Sequence, residues 1–245
     1  MSNSSLVNYT KLSPCHSGKR TLPIDRITPH CVVGQSSVEA LGLLFSDTKR
    51  EVSANYGIGS DGRVGLYVDE SKRSWCSSSN ANDQRAVTIE CASDTKEPYT
   101  MRPEVYNKLV DLCVDICKRN GKTKLIWFGD KKKTLDYPPK SNEMIITVHR
   151  WFANKSCPGE WLYSRLGELA KTVTERLNVK PSDVVYRVQI GSFSNEDNAK
   201  ALAKQAKEKG FNAVVMPYLK GDVDGDGEVT VKDAQETLQI AVGLK

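Results

Sequence analysis

Only three histidines occur in the 245-residue chain, at positions 16, 30 and 149, so each placement is informative. His149 directly follows the apolar run MIITV, and Cys157 comes eight residues later in NKSCPGEW. His30 lies in ITPHCVV, beside Cys31. A strand end and a nearby loop can bring an imidazole and a thiolate onto one metal, with a third ligand from a distant strand. Two histidines and one cysteine leave a tetrahedral position open for water, the arrangement of a catalytic zinc site. Spacing alone leaves the plainer reading open, in which these side chains simply pack. His16 stands in a polar stretch and reads as a surface residue.

A second set of ligating groups lies near the C-terminus. Asp222, Asp224, Asp226, Glu228, Thr230 and Asp233 fall at positions 1, 3, 5, 7, 9 and 12 of a loop with Gly227 at position 6. That is the ligand spacing of a calcium loop, with glycine at the sharp turn. Carboxylates crowded this closely repel one another unless a cation sits between them, so Ca2+ is expected here.

The elements that must position these groups can be read from pattern. Ile27–Val33 reads as a short strand and Ser37–Phe45 as the helix after it. Asn55–Ile58 and Val64–Val68 flank Gly59-Ser60-Asp61-Gly62, a hairpin with its turn chemistry in place. Ala86–Cys91 (AVTIEC) is a β-branched strand. Pro103 opens a helix that ends near Gly121, with apolar residues every three to four positions. Cys113 and Cys117 fall on its apolar face and read as core. Lys124–Phe128 and Met144–Val148 are further strands, and Glu160–Leu177 reads as a second amphipathic helix. Interleaved strands and helices predict an α/β fold, a mixed central sheet flanked by helices.

Beyond Pro181 the pattern restarts. Val185–Ile190 is a strand, Asn195–Lys209 a helix capped by Gly210, and Ala213–Met216 a second strand, together a small β-α-β unit. After Lys220 come the carboxylate-rich loop and a short helix, Ala234–Val242. The domains expected are 1–178, 185–219 and 221–245.

Composition narrows the function classes. Hydrophobic content of 39% and charged content of 27% are ordinary globular values. No stretch approaches the length of a membrane span. MSNSSLVNYTKLSPCHSGKR has no apolar core, so a secretory signal is not expected and the chain is read as cytoplasmic when synthesised. Seven cysteines at irregular spacings read as reduced thiols, one of them a ligand. The net charge of +5 is uneven, because residues 221–245 hold six acidic and two basic side chains. A basic body suits nucleic acid or an anionic wall polymer, and is equally consistent with a merely solvated surface.

The segments ITPHCVVGQ, NYGIGSDGRVGLYV, RSWCSSSNANDQRAVTIE and VHRWFANKSCPGEWL, taken in order over about residues 20–175, resemble the type 2 N-acetylmuramoyl-L-alanine amidase family. That family includes phage endolysins and animal peptidoglycan recognition proteins, and the pattern is most similar to endolysins of clostridial phages and prophages. The resemblance implies Zn2+ on His30, His149 and Cys157, a catalytic carboxylate at Glu90 and a catalytic cation at Lys155. Glu90 lies in a strand of apolar neighbours, where an unpaired carboxylate is costly, and this favours a functional role over a passive one. Some phage members carry a tyrosine seven residues before the Asp-Gly of the hairpin, where this chain has Ala54. Tyr56 is then expected as a substrate contact, with Trp75 and Arg150 as groove residues. For Trp75 and Arg150, core packing and a surface ion pair stand as the respective alternatives.

Residues 185–219 resemble half of a sporulation-related repeat, a module that binds glycan strands, and 221–245 resemble one dockerin repeat where two are usual. These segments are where self-association or a cohesin-like partner is expected. The activity implied is hydrolysis of the amide between N-acetylmuramoyl residues and L-alanine in peptidoglycan, by an endolysin that reaches the wall after release. Peptidoglycan is the partner, with neither nucleic acid nor membrane expected. The alternatives are a non-catalytic wall-recognition protein, which typically lacks the cysteine ligand, and a housekeeping autolysin.

Overall fold

Period-two alternation in the central strands builds one apolar and one polar face. In β3 (Arg26–Cys31), Ile27 and Cys31 enter the main core while Arg26, Thr28 and His30 point the other way. In β7 (Ala86–Cys91), Val87, Ile89 and Cys91 are core, and Thr88 and Glu90 share the polar face. The computed structural model describes residues 2–179 without a break and, beyond them, 191, 193–211, 213–215, 231, 234 and 235. Contacts divide the chain into two units, Met1–Pro181 and Ser182–Lys245.

The first unit contains a seven-stranded mixed sheet in the order β1-β5-β4-β7-β3-β9-β8. The remaining strands are β1 (Val7–Thr10), β4 (Tyr56–Ile58), β5 (Val64–Leu66), β8 (Lys124–Ile126) and β9 (Glu143–Ile146). Only β4 and β5, the predicted hairpin, pair antiparallel within it. A separate antiparallel ribbon joins β2 (His16–Lys19) to β6 (Lys72–Ser74).

Helix α1 (Val38–Ser46), capped by Ser37, packs Leu41 and Phe45 against Ala54 and Tyr67. Two longer helices cover the apolar face. α3 (Pro103–Arg119) has proline in its first turn and buries Leu109, Leu112, Cys113, Ile116 and Cys117 completely. Each such leucine or isoleucine contributes about 1.5–3 kcal/mol. Between α1 and α3 lies the short α2 (Asn80–Asp83), and α4 (Lys131–Asp136) follows β8. The helix expected over Glu160–Leu177 is two, α5 (Glu160–Tyr163) and α6 (Leu166–Leu177). The break has a local cause: the Arg165 guanidinium stacks over Trp161 and donates to the Trp161 carbonyl at 3.0 Å, while the Arg165 amide turns to Leu162.

Pro29 sits inside β3 at no cost to the ladder. The Ile27 carbonyl accepts from Thr147, so residue 29 faces the same side, where pairing with β9 has already stopped. β1, β2, β6, α2 and α4 were not foreseen; each is short and its pattern too brief to register.

A buried ion pair ties the N-terminal segment to this unit. Glu70, with a side chain 1% exposed, bonds both outer nitrogens of Arg119 at 2.9 and 2.7 Å. It also accepts from the Tyr56 hydroxyl at 2.7 Å, and that hydroxyl in turn accepts from the Ser4 amide. Glu70→Ala should cost about 1–3 kcal/mol, because the Tyr56 hydroxyl and two Arg119 nitrogens lose a buried acceptor while Asp115 still pairs Arg119. In thermal denaturation this is a fall in Tm of about 2–10 °C.

In the second unit, α7 (Glu196–Glu208) is capped by Asn195 and ends on Gly210 at φ +86°. Residues 213–215 form no strand, in contrast to the expectation. The other expected strand, Val185–Ile190, lies outside the described residues, as do all six calcium-loop ligands and most of the final helix. Among the described residues no helix is long and apolar enough to cross a membrane.

Candidate metal centre

Strand register alone brings the first two groups together. β3 and β7 run parallel with His30 opposite Glu90 and Thr28 opposite Thr88, so both functional side chains leave the sheet on one face. His30 is fully buried, with its Nδ1 3.8 Å from Glu90 Oε1. The chain leaves β9, passes Val148 and enters a single 3-10 turn, His149–Trp151, which swings His149 over His30 with ring centroids 5.0 Å apart. Cys157 returns on the following loop, its Sγ 3.3 Å from His30 Nδ1. That loop is braced by Arg150, which donates to the Ser156 carbonyl at 2.6 Å, pairs with Glu160 at 3.2 Å and stacks over Tyr163.

The donor atoms of His30, His149 and Cys157 all lie within 4.8 Å of one another. Ligands on a tetrahedral zinc are spaced by about 3.3–3.8 Å, so a small shift closes the set. His30 turns Nδ1 toward Cys157 and Glu90, while its Nε2 is buried with no hydrogen-bond partner among the described residues, and His149 Nε2 meets the Ser78 hydroxyl at 3.1 Å. Burial, and then the neighbouring His149, hold His30 well below the ordinary histidine range. Burial followed by the Lys155 charge lowers His149. Both rings are therefore neutral near pH 7, with lone pairs available to a cation. Contact with the Cys31 thiol, burial and the Glu90 charge push the Cys157 thiol well up, so it ionises only when a cation is present to stabilise the thiolate. A soft and borderline donor set of two imidazoles and one thiolate fits zinc.

Glu90 stands at the edge of this cluster, its side chain 19% exposed. Oε1 lies 3.8 Å from the Cys76 sulfur, and Oε2 has no hydrogen-bond partner. Burial pushes its carboxyl up to about 8. Cys76, which the sequence did not single out, forms a second cluster with His30 and Glu90 within 4.8 Å. Lys155 is exposed on the loop before Cys157, close enough for its charge to lower His149.

Other expected residues fall elsewhere. Tyr56 is not a substrate contact: it pairs with Ile89 in register, on the apolar face, is fully buried, and gives its hydroxyl to Glu70. Gly57, not Tyr56, is the residue beside Glu90. Arg150 forms an ion pair with Glu160, the alternative to a groove position, and braces the Cys157 loop through the Ser156 carbonyl. Trp75 is half-buried, its indole N–H donated to Ser17 at 2.6 Å. His16, expected at the surface, is half-buried in β2 and lies outside the metal cluster.

A buried polar layer beneath the site was missed as well. Asn82, on α2, donates to Thr28 at 3.0 Å and Ser77 at 3.2 Å and accepts from Thr147 at 2.9 Å, while Thr28 and Thr147 share a 2.7 Å bond. It fixes the strands carrying His30 and His149 relative to each other.

The family model of N-acetylmuramoyl-L-alanine amidases matches residues 20–160, and that of the SPOR domain matches residues 182–231. No curated protein matches. Among solved structures, the chain is similar to the N-acetylmuramoyl-L-alanine amidase LysC from Clostridium intestinale URNW (17% identity, TM-score 0.46, 71% of this chain and 96% of that one). It is also similar to the Staphylococcus aureus hydrolase AmiA in complex with its ligand (13%, TM-score 0.49, 74% and 94%). A third is an AmpD derivative (19%, TM-score 0.47, 71% and 96%).

Proposed function

Starting from a chain that belongs to the N-acetylmuramoyl-L-alanine amidase family, we propose a zinc-dependent peptidoglycan amidase whose metal is held by His30, His149 and Cys157. The observation that carries this reading is the convergence of two neutral imidazoles and one thiol within 4.8 Å, beside a carboxylate with one oxygen unengaged among the described residues.

Zinc held there supplies Lewis acidity, polarising the scissile carbonyl and bringing a water into nucleophilic range near neutral pH. Glu90 takes the proton of the attacking water, using the oxygen that no described residue engages, and returns a proton to the departing L-alanine amine. Its raised pKa suits the second half of that task, and a nearby cation lowers it for the first. Lys155, exposed at the rim, stabilises the negative charge that develops on the lactyl carbonyl oxygen. Arg150 keeps the Cys157 loop in position, and Ser78 orients the His149 ring through its 3.1 Å bond.

The biological role we favour is a clostridial phage or prophage endolysin, synthesised in the cytoplasm and acting on the wall after release; a housekeeping autolysin is the second reading. The SPOR match at residues 182–231 supports peptidoglycan as the partner of the second unit as well. For Asp222, Asp224, Asp226, Glu228, Thr230 and Asp233 we retain Ca2+ binding in a dockerin-like loop, with a cohesin-like partner or self-association as its use; ligand spacing supports it.

Metal removal tests the catalytic proposal. Treatment with a strong zinc chelator should abolish wall hydrolysis, and stoichiometric Zn2+ should restore it while Mg2+ does not. Full activity in protein shown by elemental analysis to hold no transition metal would overturn it.

A further inference from the structure

The seven free cysteines divide by exposure. Cys15, Cys31, Cys91, Cys113 and Cys117 are buried, and only Cys76 and Cys157 are half-buried. Cys157 is one of the proposed zinc ligands, whereas Cys76 has no part in the mechanism. Both bring sulfur to the same place. The donor atoms of His30, Cys76 and Glu90 lie within 4.8 Å of one another, as do those of His30, His149 and Cys157. Two sulfurs therefore flank one imidazole.

Cys76 is held where it stands by its backbone. It sits on the turn between β6 and α2, where its amide donates to Asp83 Oδ2 at 3.0 Å and the Ser77 amide donates to the same oxygen at 3.1 Å. Its Sγ lies 3.8 Å from Glu90 Oε1, and that oxygen is 3.8 Å from His30 Nδ1. Both distances match the wide end of the spacing between ligands on one tetrahedral zinc, about 3.3–3.8 Å. Glu90 Oε2 is the one carboxylate oxygen among the described residues that is buried without a hydrogen-bond partner. Nor does a lysine or arginine among them lie within 4.0 Å of Glu90, whose neighbour is the His30 ring. The two ligand sets share that ring. A single lone pair on His30 Nδ1 serves one ion at a time. The set that adds His149 and Cys157 keeps it, which leaves Cys76 and Glu90 as a sulfur and oxygen pair with no ion of their own.

We propose that Cys76 and Glu90 hold a second divalent cation of the thiophilic class, Zn2+ or Cd2+, beside the catalytic one, and that its binding switches the amidase off. The inference rests on the zinc reading of His30, His149 and Cys157 above. The ion displaces the Cys76 thiol proton, which leaves to solvent, and takes one bond from the thiolate and one from the carboxylate. Glu90 can then no longer accept a proton from the attacking water. With both ions in place, two thiolates and one carboxylate offset two dications, so little net charge is left in the pocket. Two protein donors bind more weakly than three. Stoichiometric zinc therefore fills the catalytic set, and excess zinc fills the second. Mg2+ and Ca2+ disfavour thiolate and should not substitute.

The test titrates the metal-free full chain with Cd2+, with Ca2+ in excess to occupy the C-terminal carboxylates, and reads the ultraviolet thiolate-to-metal absorbance. Two successive equivalents should each add the band of one thiolate, and Cys76→Ser should keep the first and lose the second. With stoichiometric Zn2+ the wild type and Cys76→Ser should be equally active. The Zn2+ concentration that halves activity should rise more than roughly 100-fold in Cys76→Ser, since deleting a ligand exceeds the 10- to 100-fold worth of the residues that support one. A single thiolate band in the wild type, or equal inhibition of both proteins by excess Zn2+, would overturn the second site. If that single band survives in Cys76→Ser, the catalytic ligand set still stands; if it is lost there, both readings fall. Two bands in a protein that hydrolyses no peptidoglycan at any Zn2+ level would support the second site and count against the amidase reading alone. If Cys76→Ser does not fold, alkylation of the wild type decides. The second equivalent of Cd2+ should protect Cys76 from iodoacetamide, mapped by mass spectrometry, and an unprotected Cys76 would overturn the proposal.

Discussion

Cys157→Ser should lose zinc and amidase activity together. Residues that merely orient a zinc ligand are worth about 10- to 100-fold in metal affinity, and deleting a ligand exceeds that. The replacement is nearly isosteric, and the elements that hold position 157 do not depend on sulfur: the Arg150 amide bonds its carbonyl at 3.1 Å, and the Arg150 side chain holds Ser156. The variant should therefore fold, retain far-UV circular dichroism, and hold less than stoichiometric zinc after dialysis. Stoichiometric zinc in an active Cys157→Ser protein would remove the thiolate from the ligand set.

Glu90→Gln separates the proton chemistry from the metal. Its neighbours are His30 at 3.8 Å and Cys76 at 3.8 Å, neither of them dependent on its charge. Zinc content should stay at the wild-type level while kcat falls by about 10²- to 10⁴-fold, the usual contribution of a positioned general base. Because the carboxylate is buried with one oxygen unpartnered, the amide should not weaken the metal-free fold and can strengthen it, as is common where an active-site charge is strained. Unchanged kcat in the zinc-loaded variant would mean that another group moves the proton.

Much of this site was legible in the chain because parallel strands preserve register. Once ITPHC and AVTIEC are both strands, the parity that buries Ile27 and Cys31 turns His30 outward, and the parity that buries Ile89 and Cys91 does the same for Glu90. What parity could not give was which residues of neighbouring strands stand abreast. Tyr56 was misplaced for that reason: its partner is Ile89, and one position separates it from the residue beside Glu90.

Loop-borne groups were harder to place. Cys76 and Ser78 reach the site through a segment held by Asp83, whose carboxylate accepts from the Cys76 and Ser77 amides at 3.0 and 3.1 Å. No periodicity announces such a turn. Arg150 shows the converse: its type suggested a groove, and the structure gives it the Ser156 carbonyl, the Glu160 carboxylate and the Tyr163 ring as neighbours. The split of α5 from α6 likewise came from one side chain, Arg165, capping a carbonyl that a continuous helix would have needed.

The central claim is that this chain hydrolyses the bond between N-acetylmuramoyl residues and L-alanine, and the chemistry of the products tests it most directly. Digestion of purified peptidoglycan by the zinc-loaded protein should release new L-alanine amino termini in step with clearing of the wall suspension, with no increase in reducing sugar ends. New reducing ends without new L-alanine termini would contradict the account.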